Sequence, residues 1–202
     1  MKDIQTILTI AISISLVNNM VLAKFLGLCP FIGVTKKTSS AVGMGIAVIF
    51  VMTMASLVTW MLYNWVLVKF QLEAVLRTTS YILVIATLVQ LVEMIMKKTA
   101  PALYRALGIY LPLITTNCAV MGVALLNTTN AKAPVDPGNL LHAVTQGFFA
   151  GVGFMIAMLL MSGIREQLEL ANVPRPLRGV PIAFVCTGLM AIAFMGFSGM
   201  VK

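Results

Sequence analysis

The 202-residue chain is 60% hydrophobic and 10% charged, with a mean hydropathy of +1.00. A soluble domain carries about a quarter charged residues, so this composition excludes one and fits a polytopic membrane protein. The formal charge of +8 at pH 7 does not point to nucleic acid: the cations lie mostly in short loops between apolar runs, where they set orientation, and no basic and aromatic run resembles a nucleic-acid surface.

Six apolar segments follow one another, at 4–34, 40–66, 79–96, 107–127, 141–163 and 180–200. Met1-Lys2-Asp3 leads straight into the first, with no cleavable leader pattern. A spanning helix needs about 20 residues, so most segments cross once, and the fold expected is an all-α integral membrane protein in a single polytopic domain. Segment one is too long for one crossing and contains Asn18, Asn19, Lys24, Gly27 and Pro30. Segment four has Pro112, Thr115, Thr116 and Asn117 just before Cys118. Interrupted helices persist at membrane depth only where protein or a cavity satisfies the freed backbone groups, so both segments are expected to be broken or half helices lining an internal site.

The two interrupted segments share a pattern. Cys29-Pro30-Phe31-Ile32-Gly33-Val34 and Cys118-Ala119-Val120-Met121-Gly122-Val123 both read Cys-x-x-x-Gly-Val. Each is followed by a Gly-x-Gly pair, Gly43 and Gly45 in segment two and Gly151 and Gly153 in segment five, with an insertion around 128–140. Three helices followed by three related ones imply a 3+3 inverted repeat, with halves of about 1–100 and 101–202 and a midplane site between discontinuous helices. Loop cations give the orientation. Lys36, Lys37, Lys97, Lys98, Arg105, Arg165, Arg175 and Arg178 lie on one side, against Lys2, Lys69, Arg77, Lys132 and Lys202 on the other. The bias puts the first set in the cytoplasm and both termini outside.

A thiolate at the end of an interrupted helix suits a soft metal. Iron–sulfur clusters usually take four cysteine thiolates and structural zinc four ligands, whereas this chain has three cysteines and no Cys-x-x-Cys pair. Cys186 lies in segment six outside the repeat and reads as a packing residue. If Cys29 and Cys118 bind a cluster, a related partner protein has to supply an equivalent pair. His142, the single histidine, is remote in sequence from both cysteines and cannot build a zinc site or a Cys-His or Ser-His-Asp constellation. No nucleotide-binding motif is present. Glu93 is the one acidic residue inside an apolar segment; it either marks an ion route or pairs with Lys97, one helical turn on. Lys24 either snorkels or neighbours an anionic centre. The methionines of segments two and five read as packing, and the proline-stiffened basic loop 171–179 as a topology determinant or a docking surface. On these residues alone three roles remain open: an electron relay, a secondary transporter with no redox centre, and a purely structural part of an assembly.

Phe25-Leu26-Gly27-Leu28-Cys29-Pro30-Phe31, Pro101-Ala102-Leu103-Tyr104-Arg105-Ala106-Leu107-Gly108-Ile109, Leu111-Pro112-Leu113-Ile114-Thr115-Thr116-Asn117-Cys118 and Phe194-Met195-Gly196-Phe197-Ser198-Gly199 narrow the choice. Together, and in order over essentially the whole chain, they resemble the A-type subunits of the Rnf electron-transport complex. The E-type subunits of the sodium-pumping NADH:quinone oxidoreductase are similar, but the Cys-Pro-Phe and Thr-Thr-Asn-Cys details favour Rnf. The resemblance implies a complex of the bacterial inner membrane that moves electrons between reduced ferredoxin and NAD, coupled to Na+ or H+ transport. In some bacteria a similar complex keeps a redox-sensing regulator reduced. It implies a [2Fe-2S] cluster shared with a homologous E-type partner, with Cys29 and Cys118 as half of its ligands and B, C, D and G subunits as further partners. Gly27, Pro30 and Asn117 would then surround the cluster, and Glu93 is the candidate for ion coupling.

Overall fold

The computed structural model describes residues 7, 9, 11–67, 69, 73–99, 113–114, 116–129, 140–171 and 173–199. The Pro101–Ile109 motif, Pro112, Thr115 and the 130–139 insertion lie outside the described residues. Among those described, the chain is all helical. A π-helical turn at Ser13–Val17 precedes α1 (Leu28–Val34) and α2 (Thr38–Leu62); after a second π turn at Tyr63–Leu67 come α3 (Glu73–Thr99), α4 (Cys118–Thr129), α5 (Leu140–Leu170) and α6 (Val180–Met195), the last extended by a 3₁₀ turn at Gly196–Gly199. Among the described residues three helical stretches are long and apolar enough to cross a bilayer: Thr38–Trp65, Arg77–Ile95 and Leu140–Leu170.

The apolar pattern ends segment five at 163, yet α5 runs to Leu170. Arg165, Glu166, Gln167, Leu168 and Glu169 are good helix formers, so the helix continues past the apolar boundary. The antiparallel pair α2 and α5 forms the centre of the bundle, and glycine makes its close approach possible. A Cβ on Gly45 would lie 2.6 Å from Met155 Cγ, and one on Gly151 would lie 2.7 Å from Ile49 Cα. At Gly147 the obstacles would be Ser56 Oγ at 2.3 Å and the Met52 carbonyl at 2.9 Å. One glycine of each Gly-x-Gly pair, Gly45 and Gly151, thus packs on this seam, while Gly153 faces segment one. Met44, Met52, Met158 and Met161 are buried there and pack as ordinary core.

Segment one is broken as its sequence implies, and the break begins at Asn18 and Asn19. Helical geometry ends at Val17, and the chain turns through 18–27 before α1 begins. Asn19 satisfies what the break exposes. Its Nδ2 donates to the Ser15 carbonyl (3.0 Å) and to the Gly153 carbonyl of α5 (2.8 Å), while its Oδ1 accepts from the Val21 amide (3.0 Å). Gly153 carries no side chain because a Cβ would meet Ser15 Cα and its carbonyl oxygen at 2.9 Å. Pro30 is not the breaker. It sits in the first turn of α1, where an amide hydrogen has no partner within the helix, so losing it costs nothing.

Candidate functional site

Segments one and four meet at the cysteines. The chain reaches α1 through Gly27, which adopts the left-handed conformation (φ 82°, ψ 26°) and caps the helix. Its amide donates a hydrogen bond to Cys118 Sγ at 3.0 Å, across 91 positions of sequence. A Cβ on Gly27 would lie 2.8 Å from Asn117 Oδ1, 2.8 Å from Phe154 Cε2 and 3.2 Å from Ala119 Cβ. Glycine is therefore required twice over, by backbone conformation and by space. Cys29 follows two residues later in the first turn of α1.

Cys118 is the first residue of α4. Asn117 precedes it as the helix cap: its Oδ1 accepts from the Ala119 amide at 3.0 Å, and its carbonyl accepts from the Val120 amide at 3.1 Å. Asn117 is buried and its Nδ2 has no partner among the described residues. Both cysteine residues are nevertheless exposed at the surface of the chain. Each cysteine thus lies in the first turn of a short helix, on the exposed surface of the chain.

The far end of α1 is also fixed. Arg165 Nη1, from α5, donates to the Ile32 carbonyl at 2.6 Å and to Thr35 Oγ1 at 3.1 Å, satisfying groups at the α1 C-terminus. Beside it Thr38 Oγ1 bonds Ser162 Oγ (2.9 Å) and the Glu166 carboxylate. From sequence Arg165 reads only as a topology cation; its role here depends on a contact 133 residues away, which no local pattern encodes.

The other candidates are dispersed. Cys186 lies partly buried on α6 against the edge of the core. His142 is near the start of α5, twelve residues before Phe154 and so about 18 Å along the helix from the cysteine layer. Glu93 is half-buried on α3, one turn before the exposed Lys97. Lys24 is exposed in the turn before α1. Among the described residues no three His, Cys, Asp or Glu side chains converge as a metal-binding group. The donor set fits half of a thiolate-ligated centre: two exposed cysteine residues, the Cys118 sulfur already accepting an N–H bond from Gly27, two residues before Cys29, with glycine holding the surrounding backbone close.

Comparison with known sequences identifies the family. The profile of the Rnf-Nqr subunits, described as membrane proteins, matches residues 7–201. The chain is 56% identical to proteins named as the A subunits of ion-translocating oxidoreductase complexes from Escherichia fergusonii, Citrobacter koseri and Salmonella arizonae, over 93% of its own length and 93% of theirs in each case.

Proposed function

The chain belongs to the Rnf-Nqr family of membrane subunits, and from that premise we propose that it is the electron relay of an Rnf-type, ion-translocating oxidoreductase. Cys29 and Cys118 hold one half of a [2Fe-2S] cluster, and a homologous E-type partner supplies the other half. The observation that carries this is the Gly27 N–H bond to Cys118 Sγ, which joins the two cysteine segments while both cysteine residues stay exposed. When bound, the cluster accepts and releases one electron at a time. The chain's own groups prepare for the added negative charge: the Gly27 amide points at Cys118 Sγ, and Cys118 itself opens α4, at the positive end of the helix dipole. Pro30 keeps the first turn of α1 rigid behind Cys29, and Asn117 aligns α4. The antiparallel α2–α5 seam is what two oppositely inserted halves require, and it supports the inverted repeat.

In this reading the complex exchanges electrons between ferredoxin and NAD and moves Na+ or H+, with B, C, D and G subunits carrying the remaining carriers and both termini of this chain outside. Glu93 is its candidate ion-coupling carboxylate; unchanged ion transport per electron in Glu93→Gln would remove it from that path.

Electron paramagnetic resonance of the reduced complex tests the assignment, comparing the native protein with Cys29→Ser, Cys118→Ser and Cys186→Ser. The expected result is a [2Fe-2S] resonance lost or altered in the first two and intact in the third. A resonance unchanged in both Cys29→Ser and Cys118→Ser would favour a transporter with inert thiols.

A further inference from the structure

At the end of the bundle where α1 and α5 finish, a cavity of about 620 Å³ opens between the start of α2, the end of α5 and the start of α6. Lys36, Arg165 and Arg178 line it, with one carboxylate, Glu169. Gly179 and Ile182 bring the first turn of α6 to its wall, and α6 is long enough, at 16 residues, for its unsatisfied amides and dipole to favour an anion. Arg165 spends one nitrogen on Ile32 and Thr35, which fixes its guanidinium at the cavity wall with its other donors left for a ligand.

The surroundings are apolar. Leu170 is 92% exposed at the cavity wall, and Val180 (53%) and Phe184 (54%) continue outward along α6. Val185, Leu189 and Ile192 extend this exposed face down the helix, as expected of a surface in contact with acyl chains. A basic recess at a helix end that is continuous with an apolar helix face matches a phospholipid, with a charged head and an apolar tail, better than it matches a soluble anion. All three cations belong to the set that loop charge places on the cytoplasmic side.

We infer that this cavity holds the phosphate of an anionic phospholipid headgroup, with Lys36, Arg165, Arg178 and the first turn of α6 on the phosphate and the acyl chains along α6. Glu169 narrows the ligand class, because a carboxylate beside the phosphate is favourable only if the headgroup also presents donors, as the hydroxyls of a glycerol head do. Through Arg165 the bound phosphate also contacts the group that fixes the helix carrying Cys29. The lipid site itself does not depend on the electron-relay reading.

The test uses the purified complex containing this chain. Phosphatidylglycerol is titrated into phosphatidylcholine nanodiscs, with retained lipid read by native mass spectrometry and the thermal midpoint followed in parallel. Phosphatidylglycerol is expected to raise the midpoint and remain bound, and inorganic phosphate at equal concentration to do neither. Lys36→Gln with Arg178→Gln is expected to weaken phosphatidylglycerol retention about 30-fold, while the midpoint in pure phosphatidylcholine stays at the native value. Undiminished retention in that variant overturns the inference. So does an equal shift from inorganic phosphate, which would make the cavity a free-anion site, or loss of another protein from the variant complex, which would make it a protein interface. If the double variant does not assemble, Lys36→Gln alone is expected to weaken retention about fivefold, and native retention there overturns the inference too. Cysteine variants that leave the paramagnetic resonance unchanged would refute the relay and leave this result standing.

Discussion

Replacing Gly27 by alanine places a methyl group where the two cysteine segments touch. The left-handed backbone costs about 1–2 kcal/mol for a residue with a Cβ. The new carbon would sit 2.8 Å from both Asn117 Oδ1 and Phe154 Cε2, well inside contact distance, and such overpacking costs a further 1–3 kcal/mol or so. The expected loss is therefore about 2–5 kcal/mol, concentrated where Asn117 caps α4 and the Gly27 amide meets Cys118 Sγ. The assay is the denaturation midpoint of the assembled complex together with its iron content and paramagnetic line shape. Gly163→Ala and Gly188→Ala serve as controls, since an added Cβ meets nothing within 4 Å at either position; both lie inside helices, where alanine is favoured by about 0.5–1 kcal/mol. A Gly27→Ala complex with native midpoint and native spectrum would refute the argument that this glycine brings the cysteine segments together.

Arg165→Met keeps the length of the side chain but removes its bonds to Ile32 and Thr35. Losing charged hydrogen bonds of this kind should lower stability by about 1.5–3 kcal/mol, seen as a lower midpoint with Arg165→Lys intermediate; equal midpoints for all three would exclude a structural tie. Asn19→Ala strands the Val21 amide and removes the tie to the Gly153 carbonyl, which keeps its bond within α5, so it is expected to cost about 1–3 kcal/mol and to increase proteolysis around 18–27. Gly147→Ala should separate α2 from α5 at Ser56, lowering the midpoint by more than Gly163→Ala; parity between the two would contradict the close seam.

Much of the architecture is legible because membrane chemistry restricts the choices. Six apolar runs, and two with polar residues before a cysteine, already imply interrupted helices around an interior site. The position of the first interruption is less legible. Gly27 and Pro30 are the conspicuous residues, but the helix ends ten positions before Gly27, because Asn19 offers its amide to Ser15 and Gly153 in place of a continued helix. That alternative becomes favourable only once α5 presents the Gly153 carbonyl, a long-range fact. The Gly-x-Gly pairs are visible as a repeat, whereas the packing of Gly45 on Met155 and of Gly151 on Ile49 emerges only from the antiparallel arrangement of α2 and α5. Arg165 is the clearest case of hidden meaning: counted as a loop charge, it is a cap for a helix remote in sequence. A shared pattern suggests the pairing of Cys29 with Cys118; what the pattern does not show is the bond from the Gly27 amide to Cys118 Sγ.

The seven residues of α1 make a strut about 10 Å long. One end is clamped by the tight packing of Gly27 on Asn117 and Phe154, the other by the guanidinium of Arg165. A sideways displacement of about 1 Å at the clamped glycine would tilt a lever of that length by about 6°. Arg165 and Phe154 both ride on α5, so such a tilt cannot be absorbed by sliding α1 along its neighbour. It must either flex α5 between those two points or lengthen the short bond to Ile32, and a disturbance beside Cys29 is thereby felt mechanically at the opposite end of the strut.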